Sequence, residues 1–500
     1  TMKLSPSYIH DPIHGQIYLT EIEMAVVDTL EFQRLRFIRQ NSLLHYVFPG
    51  AFHTRFAHSL GACHIGGQIA RQIIDWSNEP EIYYPLQVFR LSCLLHDIGH
   101  GAFSHSLSGV KIGERYFLPT LAEVFENPES WGLKEPQTDI VSAGIIKVFS
   151  EEFEKPIEHE VLSLLLVRKI FGSLEERSLL ESTGWGDVPA KIWAQDIASL
   201  LLPEIPCSAF FRSESWDLLS GAYRDFPYLD GKEPEIHELG RDFSKVLSQL
   251  VSGTIDADRM DYLIRDSLGC GVNYGMYDKE GIVSALRLIF EQGTLKVALN
   301  AKRINTVDDF LWSRFQMFKQ VYCHKTHAAY NLLLEKAMED LVKEGSLSSP
   351  SSLSEFEQLT DDRIMSQVIL ETQKSPDRKD WMGAFAKREL PRLVAVVEAA
   401  YGDPIWEKSS EEIFSEYASE DVKRKYRWSD LVTTTQKAEV IKGKSTDLPA
   451  IFSFNKEELR FEKQSFLSRS VFFDAQLSEE ERMRELKDRL NRRLILVFKM

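Results

Sequence analysis

The segment LLHDIGHGAFSH, residues 94–105, follows an apolar run and carries His96, Asp97, His100 and His105 within ten positions. The whole chain has only 13 histidines in 500 residues, so this density is unusual. Imidazole and carboxylate groups are ligands of first-row metal ions, and neutral or charged imidazoles also transfer protons. The segment therefore marks a candidate metal centre, a candidate acid–base group, or both.

The two glycines of this segment, Gly99 and Gly101, favour the end of the preceding helix. Neighbouring side chains on a helix point about 100° apart, so His96 and Asp97 can share one ion only where the helix ends. No cysteine lies close enough in sequence to indicate a soft thiolate site, which leaves Mn, Fe, Zn or a similar ion. Taken alone, a His–Asp pair is more often structural than metal-binding.

Composition places the chain among ordinary globular proteins, with 43% apolar and 27% charged residues. Its length predicts two to four domains or lobes. No run of about 18 apolar residues and no signal-peptide pattern occurs, and the five scattered cysteines are typical of buried free thiols, so we expect a cytoplasmic protein without a membrane span. The net charge of −16 argues against broad nucleic-acid binding, although local Arg and Lys side chains can still hold phosphates.

Helical periodicity dominates the chain, which predicts a mainly α fold with small β additions. PLQVFRLSCLLHD is apolar nearly all round and predicts a buried helix, and residues 307–343 read as one long helix. The best strand candidates are residues 294–300, the stretch around AEVIKG, and RRLILVFKM. The Ser-rich stretch 344–355 reads as a linker, so we expect a catalytic domain over residues 1–340 and a mostly helical C-terminal lobe over 341–500.

Two further segments supply groups that can do chemistry. HTRFAHSLG, residues 53–61, carries Arg55 and His58 ahead of an amphipathic pattern. In IDADRMDYLIRDS, Asp258, Tyr262 and Asp266 recur every four residues, so one helix stripe presents carboxylate, phenol and carboxylate. An acidic stripe is usually only solvated, but apolar neighbours indicate that this one faces structured protein.

The ordered motifs H-x-R-F-x-H-S, H-D-x-G-H-G-x-F-S-H and I-D-x-D-R-x-D-Y-x-x-R-D resemble those of HD-domain phosphohydrolases. More narrowly, the chain resembles the deoxynucleoside triphosphate triphosphohydrolases, which include dGTPase-like enzymes and vertebrate enzymes with a SAM and an HD domain. DPIHGQIYL, DTLEFQRLRFIRQ, YVFPGAFHTRFAHSLG and YCHKTH fit in the same order. The resemblance anchors roughly residues 8–400 and includes no SAM domain. It implies an HD-type helical core.

The resemblance implies a divalent metal ion, such as Mn, Fe, Mg or Zn, with Mg²⁺ also accompanying bound nucleotides. Its ligands would be His58, His96, Asp97 and Asp258. The implied reaction is attack of water on the α-phosphorus of a dNTP, which releases a deoxynucleoside and intact triphosphate.

The same resemblance assigns the other polar residues. His105 would be the general acid to the 5′ leaving oxygen, and His100, His159 and Glu160 would contact phosphate or relay protons. The implied triphosphate clamp is Arg55, Arg259, Arg314 and Lys325. The implied sugar-reading set is Gln40, Tyr262, Asp266 and Tyr322, with Tyr262 excluding a 2′-hydroxyl. Arg314 and Lys325 also read as surface charges, and His53 and His64 read as structural.

The chain departs from the family pattern at three places. Ser108 stands where many relatives have an acid that pairs with the last histidine of the motif. About fifty residues separate His105 from His159, which indicates an inserted segment over about 108–155 beside the active site or at a subunit interface. The activator pocket is half preserved, with Asp28, Gln33 and Arg36 matching it, so we expect a nucleotide activator and a homo-oligomer, a tetramer or a dimer of dimers.

Two other functions remain open at this stage. Another HD phosphohydrolase, a nucleotidase or a cyclic-nucleotide phosphodiesterase, would not need the triphosphate clamp. A non-catalytic nucleotide sensor would not need the complete set of ligands. The leading hypothesis is a dNTP triphosphohydrolase that lowers dNTP pools, with a regulatory or antiviral role.

Overall fold

The computed structural model describes residues 4–74, 83–133, 139–221, 226–227, 238–400, 403–404, 408–425, 431–438, 450–455, 460–464 and 478–499. Within these ranges helices form most of the ordered structure, and the predicted mainly α class is confirmed. None of the helices formed by these residues is long and apolar enough to cross a membrane.

The described chain begins with an antiparallel hairpin of β1 (Leu4–Asp11) and β2 (Gly15–Thr20). The Asp11 carboxylate closes its turn by accepting hydrogen bonds from the backbone N–H groups of Ile13 and His14, each at 2.9 Å. Gly15 has a φ of 70°, a left-handed conformation that costs glycine little. The hairpin turn is therefore fixed, with the His14 side chain facing the helical core.

A helical core follows the hairpin. Its helices up to the cleft motif are α1 (Glu21–Val27), α2 (Leu30–Gln33), α3 (Arg55–Ile74), α4 (Tyr84–Leu95) and α5 (His105–Ser108). The next helices are α6 (Leu121–Glu126), α7 (Ile140–Val148), α8 (His159–Glu176), α9 (Ala190–Leu201), α10 (Ala209–Leu219), α11 (Leu239–Val251), α12 (Ala257–Cys270) and α13 (Lys279–Ala285). A short hairpin of β3 (Lys111–Ile112) and β4 (Arg115–Tyr116) lies between α5 and α6. Short 3₁₀ turns join several of these helices.

The centre of the core is α4, which packs against α3 and α9. All twelve of its residues are buried, which confirms the buried helix predicted from its apolar sequence. Pro85 lies in the first turn, where proline costs no helical hydrogen bond. The helix ends at His96, so the buried α4 delivers the His96–Asp97 pair to one end of the core.

The predicted helix over 307–343 is interrupted. The structure has α14 (Ile304–Met317), a π-helical segment at Phe318–Tyr322, and then α15 (Lys325–Lys343). His324 caps the new helix, its ring accepting a hydrogen bond from the N–H of Thr326 at 3.2 Å. Irregular turns of this kind are frequent at functional sites, and this one directs Tyr322 toward the cleft described below.

The later part of the chain contains α16 (Leu353–Glu357), α17 (Asp361–Lys374), α18 (Trp381–Ala386), α19 (Ser410–Tyr417), α20 (Glu420–Lys425) and α21 (Glu479–Leu490). It also contains β7 (Arg392–Ala400), β8 (Leu431–Ala438), β9 (Ala450–Asn455), β10 (Arg460–Gln464) and β11 (Arg492–Lys499). This part therefore holds more β-structure than the sequence indicates. The predicted strand around AEVIKG begins within β8, and its other residues lie outside the described ones.

Two of the sheets involve this later part. The strands β7, β11 and β8 form an antiparallel sheet with β11 in the middle. The strands β5 (Leu286–Glu291) and β6 (Thr294–Asn300) form a hairpin, and β9 adds to β6 in parallel with β10 beyond it. The sheet thus joins residues from both sides of the Ser-rich stretch, and the domain division near residue 340 stays a prediction.

Candidate active site

A cleft of about 800 Å³ opens at the end of α4, between α5, α8, α12 and α15. The sequence-predicted residues that line it are Gln40, Arg55, His96, Asp97, His100, His105, His159, Glu160, Asp258, Tyr262, Asp266 and Tyr322. They come from segments that are up to 282 positions apart, counting from residue 40 to residue 322. One concave site therefore collects most of the predicted catalytic and sugar-reading residues.

Four side chains converge at the floor of the cleft. The Nε2 atom of His58 lies 3.3 Å from His96 Nε2, 3.4 Å from Asp97 Oδ2 and 3.1 Å from Asp258 Oδ1. The His96 Nε2 atom lies 3.4 Å from the same Asp258 oxygen. His58 comes from α3, His96 and Asp97 from the end of α4, and Asp258 from the first turn of α12. Three packed helices therefore fix the relative positions of these four groups.

This donor set fits a divalent cation. Ligand atoms bound to a first-row ion at about 2.1 Å lie about 3 Å from one another, which is close to the separations found here. Asp258 has a quarter of its side chain exposed, whereas His58 is fully buried, so the set opens toward the cleft on one side. Two imidazoles and two carboxylates can hold such an ion and leave positions for water and a phosphate oxygen.

The ligand-type groups perturb one another electrostatically. Burial alone would lower the pKa of His58, but hydrogen bonds with Asp258 and Asp261 and the charge of Asp97 outweigh it and raise the pKa to about 10. Burial would raise the pKa of Asp258, but its hydrogen bonds with His58 and His96 hold it well below the usual range. The metal-free site therefore keeps a proton on His58 where a cation needs a lone pair.

Binding of a divalent cation is consequently expected to release a proton. Below pH 10 the ion must displace the proton from His58, and the pKa of His96 is raised as well, so the affinity should rise at least about tenfold per pH unit between pH 6 and 9. Calorimetric titration with Mn²⁺ in buffers of different ionisation enthalpy measures both the affinity and the number of protons released. An affinity that does not change with pH over this range would contradict the assignment of His58 as a ligand.

Three more histidines surround the entrance to this floor. The rings of His100 and His159 stack with centroids 3.9 Å apart, and the His105 ring lies 4.7 Å from His100 and 5.2 Å from His159. The Nε2 atom of His100 is 3.3 Å from Asp97 Oδ1. Burial and then the Arg55 charge lower the pKa of His100, and burial and then His105 lower that of His159 to about 3. His100 and His159 are therefore neutral near pH 7.

The turn that presents His105 is strained. Phe103 and Ser104 have φ angles of 58° and 54°, in the left-handed region that side chains disfavour. The Asp361 carboxylate accepts a hydrogen bond from the Phe103 N–H at 2.6 Å, and the Ser104 hydroxyl donates to the Arg39 carbonyl at 2.8 Å. These contacts hold His105 at the cleft, and sequence reasoning missed both Asp361 and Ser104.

The predicted phosphate clamp is only partly assembled around the cleft. Arg55 is buried in its wall, where it contacts Asp97 and donates to the Ser104 hydroxyl at 2.8 Å. Arg259 contacts Asp256, Arg314 is buried with its guanidinium over the Phe318 ring, and Lys325 is exposed at the start of α15. Arg259, Arg314 and Lys325 are not among the described residues that line the cleft, and their phosphate contacts stay predictions.

Further along α12 from Asp258, the cleft is lined by the predicted sugar-reading groups. The Tyr322 hydroxyl donates to Asp266 Oδ2 at 2.6 Å, and His53 Nε2 lies 2.6 Å from Asp266 Oδ1. The Tyr262 ring lies 6.3 Å from that of Tyr322. The Gln40 Oε1 atom is buried without a hydrogen-bond partner among the described residues. This part of the cleft therefore offers a fixed carboxylate, an aromatic face and an unsatisfied amide oxygen.

The departures from the family pattern also have positions in the structure. The Ser108 hydroxyl donates to the His105 carbonyl at 3.0 Å, within its own short helix. Glu160 Oε2 lies 3.0 Å from His159 Nδ1. Gly109, at the start of the inserted segment, lines the cleft, and β3 in the same segment packs on α15. The beginning of the insertion thus lies beside the cleft, whereas residues 134–138 of the segment lie outside the described residues.

The three predicted activator residues lie away from the cleft. Asp28 is exposed at the end of α1. Arg36 is exposed, donates to the Gln33 side chain at 2.7 Å, and places its guanidinium 3.6 Å from the centroid of the Phe56 ring. The Gln33 amide also donates to the carbonyl of Val27, the residue before Asp28, at 2.8 Å. Asp28, Gln33 and Arg36 therefore form one small surface feature.

A polar wall on α15 was not predicted. Asn331 accepts a hydrogen bond from the Ser42 hydroxyl at 3.0 Å, and its amide lies 3.3 Å from His327 Nε2. The Ser106 hydroxyl donates to Ser42 at 3.0 Å. All four line the cleft. The helical spacing of His327 and Asn331 was visible in the sequence, but nothing there distinguished this face from a solvated one.

Comparisons with known proteins agree with this architecture. A family model described as HD associated region matches residues 278–418. An uncharacterized protein of Methanocaldococcus jannaschii is 28% identical over 339 residues, which cover 68% of this chain and 51% of that protein. The deoxynucleoside triphosphate triphosphohydrolase SAMHD1 of Gallus gallus is 25% identical over 338 residues, covering 66% and 44%. The resemblance to the HD-domain deoxynucleoside triphosphate triphosphohydrolases is confirmed.

The chain spans about half the length of the curated relatives that it matches. The crystal structure of a phosphohydrolase from Bacteroides thetaiotaomicron superposes with a TM-score of 0.59 at 21% identity, over 99% of this chain and all of that one, which shows a shared fold. The chain is thus similar in sequence to a deoxynucleoside triphosphate triphosphohydrolase, and among its described residues His58, His96 and Asp97 form a group that could hold a metal ion.

Proposed function

We propose that the protein is a metal-dependent hydrolase that cleaves deoxynucleoside triphosphates into a deoxynucleoside and inorganic triphosphate. The observation that carries the proposal is the order of groups within one cleft. Four ligand-type side chains form its floor, three imidazoles surround that floor, and the Asp266–Tyr322 pair lies beyond Asp258 along α12. This order matches a substrate with phosphates at one end and a sugar at the other.

The floor of the cleft prepares the phosphorus for attack. A divalent cation held by His58, His96, Asp97 and Asp258 would neutralise phosphate charge and acidify the attacking water. Each neutral ring of His100 and His159 has one N–H, which faces the carboxylate of Asp97 or Glu160, and one lone pair, so the two rings can relay protons beside the phosphates. Glu160, beside the His159 Nδ1 atom, fixes which ring nitrogen of His159 carries the hydrogen.

His105 supplies the proton for the leaving group. The attacking water gives one proton to solvent as its oxygen bonds to the α-phosphorus, the bond from that phosphorus to the 5′ oxygen breaks, and protonated His105 gives its proton to the leaving oxygen. His105 then regains a proton from solvent. The products are a deoxynucleoside with a free 5′-hydroxyl and triphosphate that contains the oxygen from water. Imidazole suits this step because its usual pKa of about 6.5 lies near the working pH.

The sugar end supports a proposed preference for deoxy substrates. Asp266 and Gln40 can pair with the 3′-hydroxyl, since the Gln40 Oε1 atom lacks a partner and the Asp266 carboxylate is held by His53 and Tyr322. Tyr262 can then lie under the deoxyribose, where a 2′-hydroxyl would meet its ring. We expect ribonucleotides to be poor substrates for this reason.

The experiment that tests the proposal is a product assay. Purified protein is incubated with each dNTP and each NTP, singly and in pairs, with Mn²⁺ or Mg²⁺, and the products are resolved by chromatography. We expect deoxynucleoside and triphosphate in equal amounts. Monophosphate with pyrophosphate would overturn the proposal and favour a different HD phosphohydrolase, and binding without turnover would favour a nucleotide sensor.

The proposal extends to regulation. A nucleotide bound near Asp28, Gln33 and Arg36 would activate a homo-oligomer that acts inside the cell and lowers dNTP pools. The support for this part is the surface feature formed by Gln33 and Arg36, together with the resemblance to the family. Activation by dNTP pairs in the product assay, beyond the sum of the single rates, tests it.

A further inference from the structure

We propose that Asp261 and His14 are positioning residues for the metal ligand His58, and that through them the N-terminal hairpin sets the affinity of the centre for a divalent cation. The inference rests on the metal centre of the proposed function, and it does not depend on the identity of the substrate. Neither residue was assigned a role from the sequence.

The first step is the contact between Asp261 and His58. Asp261 Oδ2 lies 2.8 Å from His58 Nδ1, and both side chains are fully buried. With the hydrogen on Nδ1 donated to this carboxylate, the Nε2 atom presents its lone pair to the other three ligand-type groups. Carboxylates that orient ligating histidines in this way also make the imidazole a better ligand.

The second step is the saturation of the Asp261 carboxylate. It accepts hydrogen bonds from Arg265 Nε at 2.7 Å and Nη2 at 3.0 Å, and His14 Nε2 lies 2.7 Å from its Oδ1 atom. With His58, four donor atoms surround the two oxygens, so the carboxylate has one position. Gly61 of α3 makes room for it, because a Cβ at that position would overlap Asp261 Oδ1.

The third step connects this carboxylate to the hairpin turn by two routes. His14 is in the turn and contacts Asp261 directly. Arg265 donates through Nη1 to Asp11 Oδ2 at 2.9 Å, and the other Asp11 oxygen holds the N–H groups of Ile13 and His14. A displacement of the turn would therefore move or release Asp261, and His58 with it. By linkage, an ion bound at His58 must in turn stabilise the hairpin turn.

The test measures metal affinity rather than turnover. The protein is stripped of metal with a chelator and titrated with Co²⁺ in competition with a chromophoric chelator. The visible spectrum of the protein-bound Co²⁺ is recorded in the same experiment. We expect Asp261→Asn to weaken Co²⁺ binding about 10- to 100-fold and His14→Phe to weaken it about tenfold. His14→Gln keeps an N–H donor for Asp261 and should restore most of the affinity.

The matched control is His64→Phe. The His64 ring stacks on His14 with centroids 5.0 Å apart, but in the described structure it makes no hydrogen bond to Asp261. This variant should bind Co²⁺ as the wild type does. An equal loss in His64→Phe and His14→Phe would show that ring packing, and not positioning, sets the affinity, and would overturn the proposal.

A second measurement needs no variant. Hydrogen exchange of the wild-type protein should slow at residues 11–15 when Co²⁺ is added. For the titrations above, thermal unfolding of the stripped variants reports whether they fold. If the hairpin exchanges equally with and without the ion, the coupling is absent. Failure of dNTP hydrolysis would overturn the proposed function alone, since the affinities are measured without substrate.

Discussion

Asp258→Ala is expected to abolish both metal binding and hydrolysis. The Asp258 Oδ1 atom lies 3.1 Å from His58 Nε2 and 3.4 Å from His96 Nε2, so its loss removes the one ligand-type carboxylate that α12 supplies to the floor. It also removes the negative charge that stabilises the protonated forms of His58 and His96. We expect at least about a 10³-fold fall in kcat, which corresponds to several kcal/mol of transition-state stabilisation.

Asp266→Ala is the matched control for this variant. It removes a carboxylate from the same face of α12, two turns further along, where the partners are His53 and Tyr322. Metal content measured by plasma mass spectrometry should fall to background in Asp258→Ala and stay at wild-type level in Asp266→Ala, whose defect should appear in KM. Stoichiometric metal in Asp258→Ala would contradict the proposed ligand set.

The sequence predicted the residues of the site more completely than the contacts that hold those residues in place. His96 and Asp97 follow an apolar helix, and the stripe of Asp258, Tyr262 and Asp266 is periodic, so local pattern was enough to single them out. All five line one cleft. Gly99 allows the segment after α4 to pack closely on α8, because a Cβ at this position would overlap the His159 carbonyl and the Ser163 N–H.

The groups that hold the site in place were not predictable in the same way. His14 and Asp261 are 247 positions apart, and Asp361 reaches Phe103 across 258 positions. Such contacts follow from tertiary packing, and one sequence contains no periodic signal for them. Asp261 had a partial signal, since it lies three residues after Asp258 and therefore near the same helix face.

The fold was also predicted from the sequence only in part. The mainly α class followed from helical periodicity, but the interruption of the helix over 307–343 did not. The segment Phe318–Tyr322 is π-helical, and its Tyr322 hydroxyl donates to Asp266, a contact across 56 positions that helical periodicity does not indicate. The later strands were partly missed because parallel pairing of β9 with β6 depends on residues about 150 positions apart.

His105→Ala is expected to remove most activity while leaving the metal in place. General acids contribute about 10²- to 10⁴-fold, and His105 is not one of the four proposed ligands His58, His96, Asp97 and Asp258, so kcat should fall within that range while these four residues keep their metal ion. The variant should lose much less with a p-nitrophenyl phosphodiester, because a nitrophenolate leaves without needing a proton. This difference between substrates distinguishes loss of the acid from a general distortion of the cleft.

Ser108→Ala provides the control for this experiment. The Ser108 hydroxyl donates to the backbone carbonyl of His105 at 3.0 Å. Because this hydrogen bond reaches the His105 backbone and not its ring, the variant should keep kcat within about twofold for both substrates, since one exposed hydrogen bond is worth little. Hydrolysis of dNTPs by His105→Ala at the wild-type rate would show that another group protonates the leaving oxygen. An equal loss for dNTPs and the p-nitrophenyl ester would instead assign His105 to binding phosphate.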